Sequence, residues 1–265
     1  MAVLILSSSF TFYKLDEEGK KVACQIDNNN GFRECLQKYL TKRDLCLIIS
    51  GNPKKVRTHS PIEINREGFE LSGIGFKEYI YVDDSNKHNI KEYISRADCI
   101  DLCGGHLPTC NAFVNELNLK ELLKNYNGVI IGASGGAMNL ADVVYCKPEA
   151  EGEAVDKNFN RFLKGCALTD INIIPHYNVI KDRVLDGVNI LNEILLPDSY
   201  KLALLAIEDG SYIVQKGSEK MLYGRAFLLK NGDVFKINEN DKCCKIDEKL
   251  FKNIKKGEKN EKNKG

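Results

Sequence analysis

Residues 128–137 read Gly-Val-Ile-Ile-Gly-Ala-Ser-Gly-Gly-Ala, an apolar strand that passes through a Gly-x-Ser-x-Gly turn into a helix-compatible stretch. This is the pattern of a nucleophile elbow, in which flanking glycines leave room for a very sharp turn at the serine. A glycine-rich serine loop can also bind a phosphate at a helix N-terminus, or simply connect a strand to a helix. Ser134 is therefore the first candidate for a catalytic nucleophile.

Length and composition predict an ordinary globular protein. The chain has 265 residues, of which 43% are hydrophobic, enough to bury a proper core. Lys and Arg number 38 against 37 Asp and Glu, a net charge of +1, so no global field favours nucleic acid or an anionic membrane. With no linker or internal repeat, we expect a single α/β domain over residues 1–251 and a disordered, Lys-rich tail over 252–265.

The cysteines and the N-terminus bear on location and on metal binding. Ten cysteines fall mostly singly on apolar runs, as expected for buried thiols in a reducing compartment. No Cys-x-x-Cys pair occurs, and Cys103, His106 and Cys110 are too few for a typical zinc site. The first residues lack the features of a signal peptide, and no apolar run is long enough to span a membrane. The sequence thus predicts a cytoplasmic protein with no metal.

Short apolar runs alternate with helical periodicity in the first half of the chain. Buried strands are predicted at 3–6, 45–49, 79–82, 99–102 and 128–131. Between them, apolar residues recur with helical spacing at 32–40 and at 90–97. Continuous apolar strands that alternate with amphipathic helices predict an α/β fold with a parallel sheet covered on both faces.

The pattern changes after residue 170. Strands are predicted at 171–174, 203–207, 212–214 and 225–229, and a helix at 184–194. The Asn231-Gly232 pair predicts a hairpin turn between the last of these strands and a strand at 234–237. We therefore expect a mainly parallel sheet that gains antiparallel strands late in the chain.

A serine nucleophile needs a base, and His176 is the best candidate among four histidines. It follows the apolar run 171–174 and one proline, at the end of a strand, where α/β sheets place ligand-binding residues. His59 and His88, in contrast, lie in polar loop sequences. Glu208 and Asp209 follow the strand at 203–207 and are the acid candidates. The order serine, histidine, acid argues against an α/β-hydrolase, which runs serine, acid, histidine.

Two backbone N–H groups are candidates for an oxyanion hole, which stabilises the charge that develops on the attacked carbonyl. Gly135 directly follows the nucleophile. Gly105 lies in a second strand-to-glycine transition, where missing side chains let the backbone approach a substrate. A Gly-Gly pair can also mark only a tight loop.

Four motifs occur in order: Leu-Cys-Gly-Gly-His-Leu-Pro-Thr at 102–109, Gly-Ala-Ser-Gly-Gly-Ala-Met-Asn at 132–139, Pro-His-Tyr at 175–177 and Asp-Gly-Ser-Tyr at 209–212. Over residues 2–237 the chain resembles the serine peptidase family of aspartyl dipeptidase (peptidase E) and cyanophycinase. The resemblance implies a class I glutamine-amidotransferase-like three-layer sandwich with a flavodoxin-like strand order. It also implies the nucleophile Ser134, the base His176, the acid Asp209 or its neighbour Glu208, and the oxyanion donors Gly105 and Gly135.

Two features of the sequence depart from that family. The family elbow usually has Ser-Ala-Gly, whereas this chain has Ser134-Gly135-Gly136. Aspartyl dipeptidase binds the substrate carboxylate through an arginine downstream of the histidine, and the sequence here offers Arg183. Glu149 and Glu151 fall near the acidic residue that binds the peptide amino terminus in the family, and solvated loop charges explain them equally well. The candidate substrate-binding residues are His106, Thr109, Asn139, Glu149, Glu151 and Arg183.

The expected activity is hydrolysis of peptide bonds, including Asp-X dipeptides, by a Ser-His-Asp/Glu triad without a cofactor. An amidase or esterase with the same triad and a non-catalytic binding domain of the same fold are the alternatives. The expected partners are a peptide or small-molecule substrate, with a homodimer left open, and neither nucleic acid nor a membrane.

Overall fold

A computed structural model of the protein describes residues 1–54, 60–238, 243–247, 249 and 251. His59 and the predicted tail at 252–265 lie outside the described residues. The strands are β1 (Val3–Ser7), β2 (Tyr13–Leu15), β3 (Lys21–Ala23), β4 (Leu45–Ile49), β5 (Glu78–Val82), β6 (Cys99–Leu102), β7 (Val129–Ala133), β8 (Val143–Tyr145), β9 (Phe162–Lys164), β10 (Ile173–Ile174), β11 (Val184–Leu185), β12 (Val188–Asn189), β13 (Leu204–Ile207), β14 (Tyr212–Lys216), β15 (Glu219–Tyr223), β16 (Ala226–Lys230), β17 (Asp233–Asn238) and β18 (Cys244–Lys245).

The helices are short. They are α1 (Phe32–Tyr39), α2 (Ser60–Leu71), α3 (Ile90–Arg96), α4 (Leu107–Glu116), α5 (Leu119–Leu122), α6 (Gly135–Met138), α7 (Tyr177–Ile180) and α8 (Leu196–Asp198). Two 3-10 turns (Asn29–Gly31 and Lys87–Asn89) precede α1 and α3, and a π-helix (Ile190–Leu195) precedes α8.

An eight-stranded sheet in the described part of the chain has the order β18-β15-β14-β1-β7-β6-β4-β5. Strands β1, β7, β6, β4 and β5 are parallel, and β14, β15 and β18 extend the sheet by antiparallel pairing. The order β5-β4-β6-β7 is that of the first four flavodoxin strands, and β1 takes the fifth place. The predicted α/β fold with a mainly parallel sheet is confirmed.

The sheet has a hydrophobic core on each face, because successive residues of a strand point to opposite sides. Leu6 and Leu47 belong to the first core with side chains from α3, α4 and α6, whereas Ile5 and Ile48 belong to the second core with side chains from α1 and α2. Helices therefore cover both faces, which makes the three-layer sandwich.

The late strands divide between two sheets. Strand β14 joins the main sheet as expected, and β15, which the sequence did not predict, extends it. Strands β13, β16 and β17 instead belong to a separate four-stranded sheet, in which β13 pairs with β10 and β16 lies between β13 and β17. The predicted Asn-Gly hairpin joins β16 to β17, with positive φ angles of 54° at Asn231 and 84° at Gly232. Those two angles are what a two-residue hairpin turn requires.

The helix predicted over 184–194 is wrong in its first half. Strands β11 and β12 form a small hairpin there, with φ angles of 54° at Asp186 and 79° at Gly187, and the helical part begins at Ile190. Asp-Gly between apolar residues is a hairpin signal, and the helical spacing of the apolar residues concealed it.

One carboxyl group lies inside the second core. Asp101 is 2% exposed, and its neighbours in register on β4 and β7 are Ile48 and Ile131. Burial raises the pKa of Asp101 to about 7, because the ionised carboxylate loses its hydration there. The folded protein therefore holds this proton at pH values where the unfolded chain has released it.

This gives stability a measurable pH dependence. Since the pKa of Asp101 in the folded protein lies above the unfolded value of 3.8, the contribution of this group to stability is fully present below pH 4 and is lost as pH rises through 7. The loss amounts to about 4 kcal/mol at most. The free energy of unfolding, measured by denaturant titration from pH 4 to 9, should fall less steeply in Asp101→Asn, whose side chain does not titrate. Parallel pH profiles for the two proteins would contradict this.

Candidate active site

The candidate residues converge at the carboxyl end of the parallel strands. Ser134 follows β7, the Gly104-Gly105 pair follows β6, and Ser8 follows β1. His176 and Asp209 follow β10 and β13 of the second sheet. Open α/β sheets bind ligands at this edge, and the two sheets here each contribute part of the cluster.

The chain turns sharply at Ser134. Its φ of 51° and ψ of −118° are unusual for a residue with a side chain, and the turn is held by a 3.0 Å bond from its N–H to the Ser7 carbonyl oxygen. A Cβ on Gly132 would lie 2.6 Å from Ala137 Cα, and one on Gly136 would overlap the Leu102 carbonyl oxygen. Both glycines of the Gly-x-Ser-x-Gly pattern are thus sterically required by the elbow.

The two glycines after the serine should respond differently to alanine. Gly136→Ala forces the elbow away from β6 and should destabilise the protein by about 3 kcal/mol, as overpacking does. At Gly135 the nearest atom to a new Cβ is the Gly105 carbonyl oxygen at 3.2 Å. We expect Gly135→Ala to change stability by about 1 kcal/mol or less, since alanine also favours the helix. Thermal unfolding of the two variants, side by side, checks this pair; equal melting temperatures would contradict it.

Ser134, His176 and Asp209 form a continuous chain of contacts. Ser134 Oγ lies 2.9 Å from His176 Nε2, and His176 Nδ1 lies 2.6 Å from Asp209 Oδ1. His176 adopts a left-handed backbone conformation with φ 60°, which begins α7. The geometry is that of a hydroxyl, an imidazole and a carboxylate arranged for proton transfer.

The structure distinguishes the two acid candidates. Asp209 contacts His176, whereas the Glu208 carboxylate lies 3.8 Å from the Arg225 guanidinium. Burial by itself would raise the pKa of Asp209, but the hydrogen bond and charge of His176 and the hydroxyl groups of Ser9 and Ser8 together hold it well below its usual range. Asp209 is therefore an ionised acceptor beside the imidazole.

Sequence reasoning missed the polar residues around Asp209. Ser8 and Ser9 donate to Asp209 Oδ1 at 2.9 and 2.8 Å, and Ser8 Oγ also accepts the His176 backbone N–H at 2.8 Å. Asn178 accepts the Asp209 backbone N–H at 3.1 Å. The available signal was position, because Ser8 and Ser9 directly follow the apolar strand β1.

The two predicted oxyanion donors lie side by side. A Cβ on Gly135 would lie 3.6 Å from the Gly105 nitrogen, and one on Gly104 would lie 3.5 Å from the Gly135 nitrogen. Gly135 begins α6, and the first N–H groups of a helix have no partner within the helix. The backbone nitrogens of Gly105 and Gly135 therefore lie close together at the elbow.

Some predicted substrate-binding residues form a polar cluster beside Gly105. His106 Nδ1 lies 3.1 Å from Thr109 Oγ1, and His106 Nε2 lies 2.7 Å from Glu153. Burial would raise the pKa of Glu153, but backbone N–H groups of Ala150 and Glu149 and the His106 contact outweigh it and lower the pKa. Glu153 was not predicted, and only its place in the acidic run 149–153 pointed to it.

Other predicted residues have structural partners. Glu149 forms an ion pair with the buried Lys147, and its carbonyl oxygen accepts a 2.7 Å bond from Arg183. Asn139 is fully buried and donates to the Gly135 carbonyl oxygen at 2.8 Å, so it supports the elbow helix rather than facing a substrate. Glu151 is exposed in the turn that precedes Glu153.

Two cavities lie at opposite ends of the parallel strands. One of about 630 Å³ lies next to the elbow, with Gly104 and Ala133 in its wall. Another of about 700 Å³ lies at the opposite end, where Val3, Gly128 and Val129 begin their strands. Because ligands bind at the carboxyl ends of parallel strands, the first cavity lies at the end of the sheet where ligands are expected, next to Ser134.

The described part of the chain has neither a metal-ligand cluster nor a membrane-spanning helix. In the described ranges, no three His, Cys, Asp or Glu side chains are grouped as ligands of a metal ion. No helix among the described residues combines the length and the hydropathy needed to cross a bilayer.

The fold and the elbow define a mixed α/β sandwich of the peptidase E type. Of 13 matching solved chains, a peptidase from an acI-B1 actinobacterium superposes with a TM-score of 0.62 at 17% identity, covering 92% of this chain and 97% of its own. A peptidase E-type protein from Listeria monocytogenes EGD-e gives a TM-score of 0.55 at 15% identity, covering 84% and 98%. At these identities the likeness concerns the fold.

The sequence itself identifies the family. The model of peptidase family S51 matches residues 57–223, and the chain belongs to that family. A search of curated proteins gave no match. Membership of the family supports a serine peptidase in general.

Proposed function

We propose that this protein hydrolyses short peptides with Ser134 as nucleophile, His176 as general base and acid, and Asp209 as the carboxylate that orients the imidazole. The observation that carries the proposal is the unbroken chain of contacts from Ser134 Oγ through the imidazole to Asp209. Membership of the S51 family supports it independently.

In the proposed mechanism, each atom has a role that its contacts support. The Ser134 hydroxyl donates to His176 Nε2 at 2.9 Å, so the imidazole takes its proton as Oγ attacks the carbonyl carbon. Nδ1–H donates to Asp209, which fixes the tautomer and stabilises the imidazolium that forms. The backbone N–H groups of Gly105 and Gly135 stabilise the oxyanion. The imidazolium then protonates the leaving amine, and water attack on the acyl-enzyme repeats the sequence.

The polar cluster next to Gly105 is the proposed binding region for the charged ends of a short peptide. His106, Glu153 and Glu149 meet there, and Arg183 lies against the Glu149 backbone. The cluster contains both charge signs, because Lys147 forms an ion pair with Glu149 there. Dipeptides with an unblocked amino group, Asp-X among them, are therefore the first substrates to examine.

Activity profiling tests the proposed function. We expect a fluorophosphonate probe to label the purified protein on Ser134, located by peptide mass spectrometry, and unblocked dipeptides to be hydrolysed. N-acetylated copies of the same dipeptides are the matched controls, since they keep the scissile bond but lose the free amino group, and p-nitrophenyl esters test for esterase activity. Turnover of esters alone would replace the proposal with a small-molecule esterase. If the protein shows neither labelling nor turnover but is stabilised by a peptide, it is a binding protein instead.

A further inference from the structure

The cavity of about 630 Å³ beside the elbow is close enough to the nucleophile to receive part of a substrate. Two of its wall residues, Gly104 and Ala133, lie against the nucleophile: a Cβ on Gly104 would be 3.1 Å from Ser134 Cβ and 2.9 Å from the Ala133 carbonyl oxygen. The wall of this cavity therefore lies directly against Ser134.

Asp101 lies in the wall of this cavity with an unsatisfied oxygen. It is 2% exposed, and Asp101 Oδ1 is buried with no hydrogen-bond partner among the described residues. Asp98, three residues earlier, shows the usual arrangement, because it accepts the Asp44 N–H at 2.7 Å and pairs with Lys42 at 2.9 Å. A buried carboxyl that lacks such partners is costly to the fold and is a common mark of a ligand site.

The rest of the wall is largely apolar and aromatic. It includes Phe10, Phe12, Tyr13 and Ile64, with the buried amide of Asn65 as a further polar group. Aromatic rings attract cations, and an apolar wall suits the methylene stem of a long side chain. A flexible stem that ends in a positive charge matches both the wall and Asp101.

Two lysines also line the cavity, and their charges already have partners. Lys20 Nζ lies 2.7 Å from the Glu18 carboxylate, and Lys21 Nζ lies 3.9 Å from the centre of the Tyr13 ring. Both side chains are exposed, so water and salt screen them. The partners of these two ammonium groups are therefore Glu18 and the Tyr13 ring rather than Asp101.

We propose that this cavity is a specificity pocket for a lysine or arginine side chain of the substrate, with Asp101 binding its charged group. The inference rests on the proposed peptidase function, because it concerns substrate held at Ser134. Burial raises the pKa of Asp101 to about 7, and a cation bound beside it would favour the ionised form.

Paired substrates test the pocket. Peptides carrying lysine at each position next to the scissile bond are compared with copies carrying norleucine, which keeps the stem but lacks the charge. We expect lysine at one position to raise kcat/KM by about 10- to 100-fold, the range of a charge-assisted hydrogen bond. Asp101→Asn should reduce this ratio to about 3-fold or less, whereas the exposed control Asp142→Asn should keep the full ratio.

Two further measurements separate the pocket from the peptidase reaction. The rate of fluorophosphonate labelling reports whether the elbow is intact in Asp101→Asn, and Asp101→Leu is the second variant if the asparagine form does not fold. Calorimetric binding of n-pentylamine to the unmodified protein and to the Asp101 variant tests the pocket even if no peptide is cleaved. Equal rates for lysine and norleucine, or equal amine binding by variant and unmodified protein, would overturn the proposal.

Discussion

Replacing Ser134 with alanine should lower peptide hydrolysis by roughly 10⁶-fold, the size of effect seen when a serine-peptidase nucleophile is removed. The reason is geometric. Ser134 Oγ is the atom that lies 2.9 Å from His176 Nε2. The alanine side chain fits the same turn, so the fold should remain. The initial rate on the best unblocked dipeptide, together with loss of fluorophosphonate labelling, measures the effect.

Ser95→Ala is the matched control. Ser95 is an exposed serine at the end of α3, and its hydroxyl donates to the Glu92 carbonyl oxygen at 2.7 Å. Both variants lose one hydroxyl group, and only the loss at Ser134 should affect turnover. Turnover retained by Ser134→Ala at more than about one-hundredth of the original rate would exclude this residue as the nucleophile, since a removed nucleophile leaves far less.

Asp209→Asn should lower kcat by about 10⁴-fold with little change in the fold. The asparagine keeps the size of the side chain, but it no longer offers a charged acceptor to His176 Nδ1, so it stabilises neither the reactive tautomer nor the imidazolium. Ser8 and Ser9 also lose their charged acceptor, so the side chain that holds the imidazole ring is itself held less firmly. Steady-state kinetics on the same dipeptide, with kcat and KM determined separately, measures the effect.

Glu208→Gln is the matched control for that experiment. The two acids are adjacent, but the Glu208 carboxylate lies beside Arg225 instead of the imidazole. We expect its kcat to stay within about 2-fold, because the partly exposed Glu208 carboxylate lies 3.8 Å from Arg225 and does not touch the imidazole. If the two variants exchanged these effects, Glu208 would be the orienting acid.

The sequence predicts most of the main sheet and the centre of the site. The strand at 45–49 and the turn at Ser134 are found where the apolar runs and the glycines indicate them. Those features are local, since a buried strand and a sharp turn leave their mark on consecutive residues. His176 could be selected for the same reason, because it follows the apolar run 171–174 after a single proline.

The choice between Glu208 and Asp209 could not be made from the sequence. Successive side chains at a strand end point in different directions, so the selection depends on where β13 lies relative to β10. The environment of Asn139 was equally inaccessible, because its contact with Asn111 joins two separate segments of the chain. Non-local contacts of this kind leave no periodic pattern.

The pairing of strand β1 has a consequence for how the site assembles. Val3 pairs with Val129 on one side and with Lys216 on the other, so both neighbours of β1 in the sheet lie far along the chain. The contacts of Ser8 and Ser9 with Asp209 likewise join residues that are 201 and 200 positions apart. Pairings so distant along the chain close slowly. A chain truncated before residue 209 lacks the proposed acid, so we expect it to have no peptidase activity.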